Sequence, residues 1–292
     1  MKVVHTRAEL AGWLTEQRAA GRRVGLVPTM GALHAGHQAL AAACRPGIQA
    51  VAMSIFVNPT QFAPGEDFER YPRNLERDLE RAELAGVDLV FAPGAEEMYP
   101  FREVRISVDP GRLGSVLEGQ FRPTFFRGVA TIVSKLLVLF RPDVTVFGQK
   151  DAQQVVVVRA LARELLLPVE VRVIPTVREP DGLALSSRNV YLSPEERQAA
   201  PVLHNALRSA EALIRGGERD AGAVTERLTG ILGTQSLARV DYASVVDAQC
   251  LEPIPVVDGK VLLLLAVRFG QTRLLDNACL RIEGERVLPD LP

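Results

Sequence analysis

Two of the four histidines in this 292-residue chain, His34 and His37, stand three positions apart in "VPTMGALHAGH", residues 27–37, between Gly31 and Gly36. Imidazoles in a glycine-lined turn suit phosphate chemistry. They donate hydrogen bonds to phosphate oxygens and offset the charge that develops when phosphorus is attacked. The stretch follows the apolar run "VGLV" and precedes a helix expected to begin near Gly36, which places it on a strand-to-helix turn. Ligands of open α/β sheets bind at the carboxyl ends of the strands, where the N–H groups that open the next helix favour anions. Gly31 and Gly36 have P-loop spacing, but His37-Gln38 stands in place of Lys-Ser/Thr and no GxGxxG occurs, so both common nucleotide loops are excluded. The bland reading, two surface histidines in a loop, is outweighed by the glycines, the pairing and the loop position taken together.

Three further clusters carry candidate groups. In "FGQKDAQQ", 147–154, Lys150 is expected at a helix N-terminus, where the macrodipole disfavours a cation, so it reads as a phosphate ligand. Asp151 reads equally as an N-cap, and Gln153 and Gln154 equally as helix-surface residues. In "ALSSRN", 184–189, two hydroxyls and the Arg188 guanidinium form either a mobile clamp for a triphosphate or a solvated loop. In "FVNPTQF", 56–62, Asn58 and Gln61 beside Phe56 and Phe62 suit a small hydroxylated substrate, although Pro59 also makes the segment a plain turn. Asp78, on the helix that follows, is a candidate Mg²⁺ ligand set against a solvated carboxylate.

The elements that must position these groups read as an α/β protein: a Rossmann-like parallel sheet domain with a smaller C-terminal α+β domain. Strands are expected near 24–27, 48–57, 87–91, 144–147 and 169–174, alternating with helical periodicity. In "GVATIVSKLLVLF" the positions Val129, Ile132, Val133, Leu136, Leu137 and Phe140 form one core-facing stripe. Another helix is expected from an Asn74 cap to Gly86. After about residue 175 the pattern changes. "LSPEERQAAPVLHNALRSAEALI" opens with Ser193 as cap and Pro194 in the first turn, a second amphipathic helix follows at 220–232, and β-like runs "VDYASVVDA", "KVLLLLAVRF" and "ACLRIEG" close the chain. The break near "PTVREPDG" divides a Rossmann-like domain, 1–176, from a C-terminal α+β domain, 177–292, expected to act as a lid.

Composition narrows the partners. With 34 basic against 35 acidic residues the net charge is -1, so nothing draws the chain to nucleic acid or to an anionic membrane, and small-molecule substrates are expected. Cys44, Cys250 and Cys279 are widely spaced and make neither a disulfide framework nor a CxxC zinc site, which points to a reducing, cytoplasmic location. The first residues lack a signal-peptide core, and no run approaches the length of a membrane span.

The blocks "PTMGALHAGH", "SIFVNPTQF", "YPRNLERDL", "LEGQFRP", "FRGVATIVSKL", "FGQKDAQQ" and "LSSRN", in this order, resemble the pantothenate synthetase (pantoate-β-alanine ligase) family over at least residues 27–189. The first block is similar to a variant of the HIGH signature of nucleotidylyltransferases and class I aminoacyl-tRNA synthetases. The resemblance implies that Mg·ATP and pantoate give pantoyl adenylate and pyrophosphate, after which β-alanine displaces AMP, and that domain 1–176 binds ATP and pantoate. It also implies an ATP site at Met30, Gly31, Ala32, Leu33, His34, Ala35, Gly36 and His37, with His37 as proton donor. Gly148, Gln149, Lys150 and Asp151 are then expected on the nucleotide, Val177 against adenine, and Leu185, Ser186, Ser187 and Arg188 over the triphosphate. Gln61 and Gln154 are expected to bind pantoate, Gln61 also bordering β-alanine, in what is expected to be a homodimer. Two departures stand out: Phe125-Phe126 where many relatives have His-Phe, and Gln149 where glutamate is common. The alternative is an HxGH nucleotidylyltransferase acting on a small phosphorylated acceptor.

Overall fold

The computed structural model describes residues 1–101 and 104–292 and divides them into two compact units, Met1–Gly148 with Val157–Ile174, and Gln149–Val156 with Pro175–Pro292. In chain order the first unit runs β1 (Lys2–Val4), α1 (Arg7–Ala19), β2 (Val24–Thr29), α2 (Ala35–Cys44), β3 (Ala50–Ile55), α3 (Leu75–Leu84) and β4 (Leu89–Phe91). It continues through the single-turn helices α4 (Ala95–Met98) and α5 (Glu118–Phe121) to α6 (Phe125–Phe140), β5 (Val144–Gly148), the later part of α7 (Ala152–Glu164) and β6 (Glu170–Ile174). Its six strands pair in the order β1-β4-β3-β2-β5-β6, every pair parallel. From β2 the chain steps one way to β3 and β4, then returns to β5 and β6 on the other side. The reversal falls between β2 and β5, the place where such sheets open a crevice for ligands.

Burial follows from this arrangement. Strands of a parallel sheet are covered on both faces, so they read as Val-rich runs without alternation. Val27, Val51, Met53, Val90, Val144 and Val146 pack with Ala41 and Cys44 of α2 and Ala82 of α3. The stripe expected on α6 is buried at all six of its positions. Asn74 caps α3 by accepting from the Arg77 N–H, and Gly86 follows the helix at φ +72°.

The second unit adds α8 (Pro194–Ala199), α9 (Val202–Arg215), α10 (Ala221–Gly233), β7 (Ala238–Asp247), β8 (Gly259–Phe269), β9 (Thr272–Glu283) and β10 (Arg286–Pro289). The strands form an antiparallel sheet in the order β10-β9-β8-β7. Alternation along β8 directs Val261, Leu263, Leu265, Val267 and Phe269 into one core with Leu203, Leu207 and Ile214 of α9 and Leu228 and Leu232 of α10.

Three expectations shift, and two short strands were not expected. The strand read at 48–57 is only Ala50–Ile55, because Asn58 turns the chain into a short 3-10 segment, Pro59–Gln61. The stretch after Ser193 is two helices, since Pro201 lacks the N–H that would continue the first. β9 begins at Thr272, six residues before "ACLRIEG", and β1 and β10 are too short to show a period. Among the described residues no helix is long and apolar enough to cross a membrane.

Candidate active site

The chain leaves β2 at Thr29 and enters α2 at Ala35, and the intervening turn is held from below by α3. Asp78, 4 % exposed, accepts from the Ala32 N–H at 2.9 Å with one carboxylate oxygen and from the Leu33 N–H at 2.7 Å with the other. Arg81, one turn further along the same helix face, donates to the Leu33 carbonyl. Thr29 Oγ1 accepts from the Gly31 N–H and donates to the Ser54 carbonyl, which ties the turn to β3. This bracing holds Gly31 at φ +79° and Ala32 at φ +51°. A side chain on Gly31 would place Cβ 2.8 Å from Asp78 Oδ2, so glycine is required there for space as well as conformation.

The two imidazoles then open α2. His34 is its N-cap: Nδ1 accepts from the Gly36 N–H at 3.1 Å, while the His34 N–H donates to His37 Nδ1 at 3.2 Å. This is a capping box built from two histidines. The ring centroids are 4.1 Å apart. Because both Nδ1 atoms accept, a neutral ring carries its proton on Nε2, so each ring is fixed in the tautomer whose donor is Nε2–H. The arrangement gathers two hydrogen-bond donors at the positive end of a helix dipole, a setting made for phosphate oxygens. Met30, Gly31, Ala32, Leu33, Ala35 and Gly36 all lie in this turn and the start of α2, with Leu33 in the core.

A second group is built around Asn58, 1 % exposed. Its Nδ2 donates to Gln61 Oε1 at 2.9 Å and to the Gly128 carbonyl at 3.2 Å, and its Oδ1 accepts from Tyr99 OH at 2.8 Å and Thr60 Oγ1 at 3.0 Å. Gln61 is thus oriented by Asn58, and Arg122 fixes its backbone by donating to the Gln61 carbonyl at 2.8 Å while pairing with Glu66. A Cβ on Gly128 would meet the Thr60 carbonyl oxygen at 2.3 Å, which explains a glycine inside α6. Lys135 donates to the Met98 carbonyl at 2.6 Å with its ammonium 3.8 Å from the centre of the Tyr99 ring. Burial pushes the Tyr99 hydroxyl up and the Lys135 ammonium down from their ordinary values. Tyr99, Lys135 and Arg122 were missed in the sequence; Gly128 inside a helix was the available signal.

Gly148 ends β5 in the first unit, and the other residues fall in the second. Gln149, Lys150 and Asp151 form a 3-10 turn that runs into α7, and Lys150 Nζ lies 3.3 Å from Asp151 Oδ1. On α7 Gln153 is buried and Gln154 half-buried, so Gln153 is no surface residue. Val177 accepts from the Leu185 N–H at 3.0 Å across a small hairpin that turns at Gly182, φ +95°. Ser186 caps the 3-10 turn Ser187–Tyr191 through its contact with the Arg188 N–H. Asp181, 2.5 Å from Arg197, is held below the usual carboxylate range by that guanidinium. Ala184 accepts from Asn189 Nδ2, so the "LSSRN" segment is an ordered turn in this unit.

Asp78 is not the solvated carboxylate that a lone acid on a helix suggests. Its place one turn before the core residue Ala82 was the signal of burial. Both oxygens are committed to the turn, and among the described residues no group of three or more His, Cys, Asp and Glu side chains is placed to hold a metal ion. With both of its oxygens on backbone N–H groups, the geometry makes Asp78 a loop support.

The family model described as pantoate-beta-alanine ligase matches residues 2–279. The chain is 50 % identical over 282 residues to the pantothenate synthetase of Heliobacterium modesticaldum, covering 97 % of this chain and 100 % of that one. It is similar to the crystal structure of pantothenate synthetase from Thermus thermophilus, with TM-score 0.88, 47 % identity, and 95 % and 98 % of the two chains covered. It is also similar to the pantoate-beta-alanine ligase of Francisella tularensis, solved in complex with beta-gamma ATP and beta-alanine, with TM-score 0.76, 29 % identity, and 95 % and 97 % covered.

Proposed function

The chain belongs to the pantoate-beta-alanine ligase family, and from that premise we propose how its residues divide an ATP-dependent synthesis of pantothenate. The pantoate carboxylate attacks the α-phosphorus of ATP, pyrophosphate leaves, and pantoyl adenylate forms. The free amine of β-alanine then attacks the acyl carbon, AMP leaves with the electrons of the broken anhydride bond, and the amine gives up a proton as the amide forms.

The first step brings an anion to a polyanion, so it needs fixed donors and cations around the phosphates. His34 and His37 supply Nε2–H donors from the braced turn, and Lys150 and Arg188 supply charge. Met30 to His37 line the nucleotide, with Gly148, Gln149 and Asp151 beside its phosphate and ribose. Val177 meets adenine through its backbone, and Leu185, Ser186 and Ser187 lie along the triphosphate with Arg188. Gln61, oriented by Asn58, and Gln154 hold pantoate, and Gln61 borders the incoming amine. Mg²⁺ would enter with ATP as Mg·ATP and would offset the charge of the phosphates. The working unit on this reading is a cytoplasmic homodimer.

The observation that carries the reading is the pair of imidazoles whose Nδ1 atoms are spent on the helix cap, which leaves both rings as Nε2–H donors at the end of β2. Incubation with Mg·ATP and pantoate, with and without β-alanine, tests it. Pyrophosphate and an acyl adenylate are expected without the amine, and pantothenate with AMP in its presence. Pyrophosphate exchange that proceeds with no carboxylate present would overturn the ligase reading in favour of nucleotidyl transfer.

A further inference from the structure

Consecutive residues of a strand face opposite ways, and β9 uses this at Asp276 and Asn277, each 2 % exposed. Asp276 accepts from Arg178 Nη1 at 2.7 Å and Nη2 at 2.9 Å, a fork that holds the residue next to Val177. Asn277 turns the other way. Its Nδ2 donates to the Gln149 carbonyl at 2.9 Å and to the Lys150 carbonyl at 3.0 Å. Two backbone carbonyls of one short turn therefore converge on a single amide.

That amide has one workable orientation. Flipped, its oxygen would face two carbonyl oxygens; as placed, Oδ1 is buried with no hydrogen-bond partner among the described residues. The register opposes Asn277 to Leu264, in a stretch of β8 whose residues Val261 to Val267 are all buried. A strand that only had to close a sheet would be served by an apolar residue here, since an orphaned buried oxygen lowers stability. Instead the sequence keeps a polar group whose hydrogens both go to the backbone of the turn that carries Lys150.

We propose that Asn277 is a positioning residue for Lys150. By fixing the two carbonyls it sets the direction in which the lysine side chain leaves the turn, and so where its ammonium meets the phosphates. The proposal rests on the reading above that Lys150 binds ATP phosphate. It adds a residue 127 positions away in the chain that acts only through that lysine.

A double-mutant cycle tests it, with pyrophosphate formation from Mg·ATP and pantoate as the readout and thermal unfolding as the check on folding. Asn277→Ala is expected to lower adenylation kcat/KM for ATP about tenfold, while KM for pantoate and for β-alanine stays within about twofold. In a Lys150→Ala background the same change is expected to cost less than about twofold, because the group being positioned is gone. An equal loss in both backgrounds, or a parallel rise in all three KM values, overturns the proposal and makes Asn277 a general structural residue. If Lys150→Ala alone leaves adenylation unchanged, the phosphate role of Lys150 fails first, and the positioning role falls with it. Should Asn277→Ala fail to fold, Asn277→Ser, which keeps one donor, enters the cycle under the same criterion.

Discussion

Replacement of Asp78 by asparagine isolates what the brace beneath the histidine turn contributes. The substitution keeps the volume of the side chain but leaves one acceptor oxygen for two N–H groups, and turns an NH₂ toward the other. At 4 % exposure no water makes up the loss, and bonds of 2.9 and 2.7 Å to a carboxylate are of the charge-assisted kind. Losing one of them costs about 1.5–3 kcal/mol. The turn it holds keeps Ala32 at φ +51°, a conformation that costs an L-residue about 1–2 kcal/mol and persists because the brace offsets it. With the brace weakened, the same strain favours release, and about 1.5–3 kcal/mol shifts the ratio of held to released turn by roughly 10- to 150-fold. Asp78→Asn is therefore expected to lower kcat/KM for ATP in the adenylation step by up to about that factor, in proportion to the lost competent fraction. Mg²⁺ titration separates this from a metal-ligand role. If Asp78 acts on the turn, added Mg²⁺ restores nothing; full recovery at high Mg²⁺, or an unchanged kcat/KM, would refute the reasoning.

Three more outcomes can be measured. His34→Ala and His37→Ala are each expected to slow adenylate formation by about 10²-fold or more, the scale of removing one preorganised donor, and an undiminished pyrophosphate burst would dismiss that role. Gln61→Ala should raise KM for pantoate and leave KM for ATP unchanged; the opposite pattern would show that the 58–61 turn serves the nucleotide. Burial, with Arg178 next, lowers His204 below its ordinary value of 6.5; Arg208 opposes its charge too, while Asp276 and Glu211 favour it. The unfolded chain then binds the proton first as pH falls, so the stability this ring contributes is present above about pH 6.5 and is lost on acidification below it. Melting temperatures between about pH 7 and 5 should fall less steeply for His204→Gln than for the parent, and parallel curves would discount the ring.

Of the groups proposed to meet substrate, His34, His37, Gln61 and Lys150 were legible because they sit on turns that follow a strand, where a local pattern marks them. His34 and His37 announced themselves through glycines and spacing, and Lys150 through a charge at the wrong end of a helix. The parallel sheet was legible from Val-rich runs of about strand length, and the α6 stripe from its period. What failed was either too short to show a period, as with β1, or polar where a strand should be apolar. β9 was read from Ala278 onward because Asp276 and Asn277 interrupt the apolar run, and they interrupt it because they hold Arg178 and the Lys150 turn.

The same separation explains why a signature alone is an incomplete guide to activity. Asp78 lies 46 and 45 positions beyond the N–H groups it accepts from, and Asn277 lies 128 and 127 beyond its two carbonyls. No local window contains both ends of such a bond, so sequence spacing cannot reveal it. Yet a donor helps a transition state only if it is held where charge develops, and a misplacement of about 1 Å can cost about 10²-fold. The side chains proposed to meet substrate and their supports are therefore one machine whose parts differ in how visible they are. A chain with both histidines and the lysine intact, but altered at position 277, would keep the family's motifs and is expected to lose much of its adenylation rate. The loss would appear in adenylation before it appeared in folding.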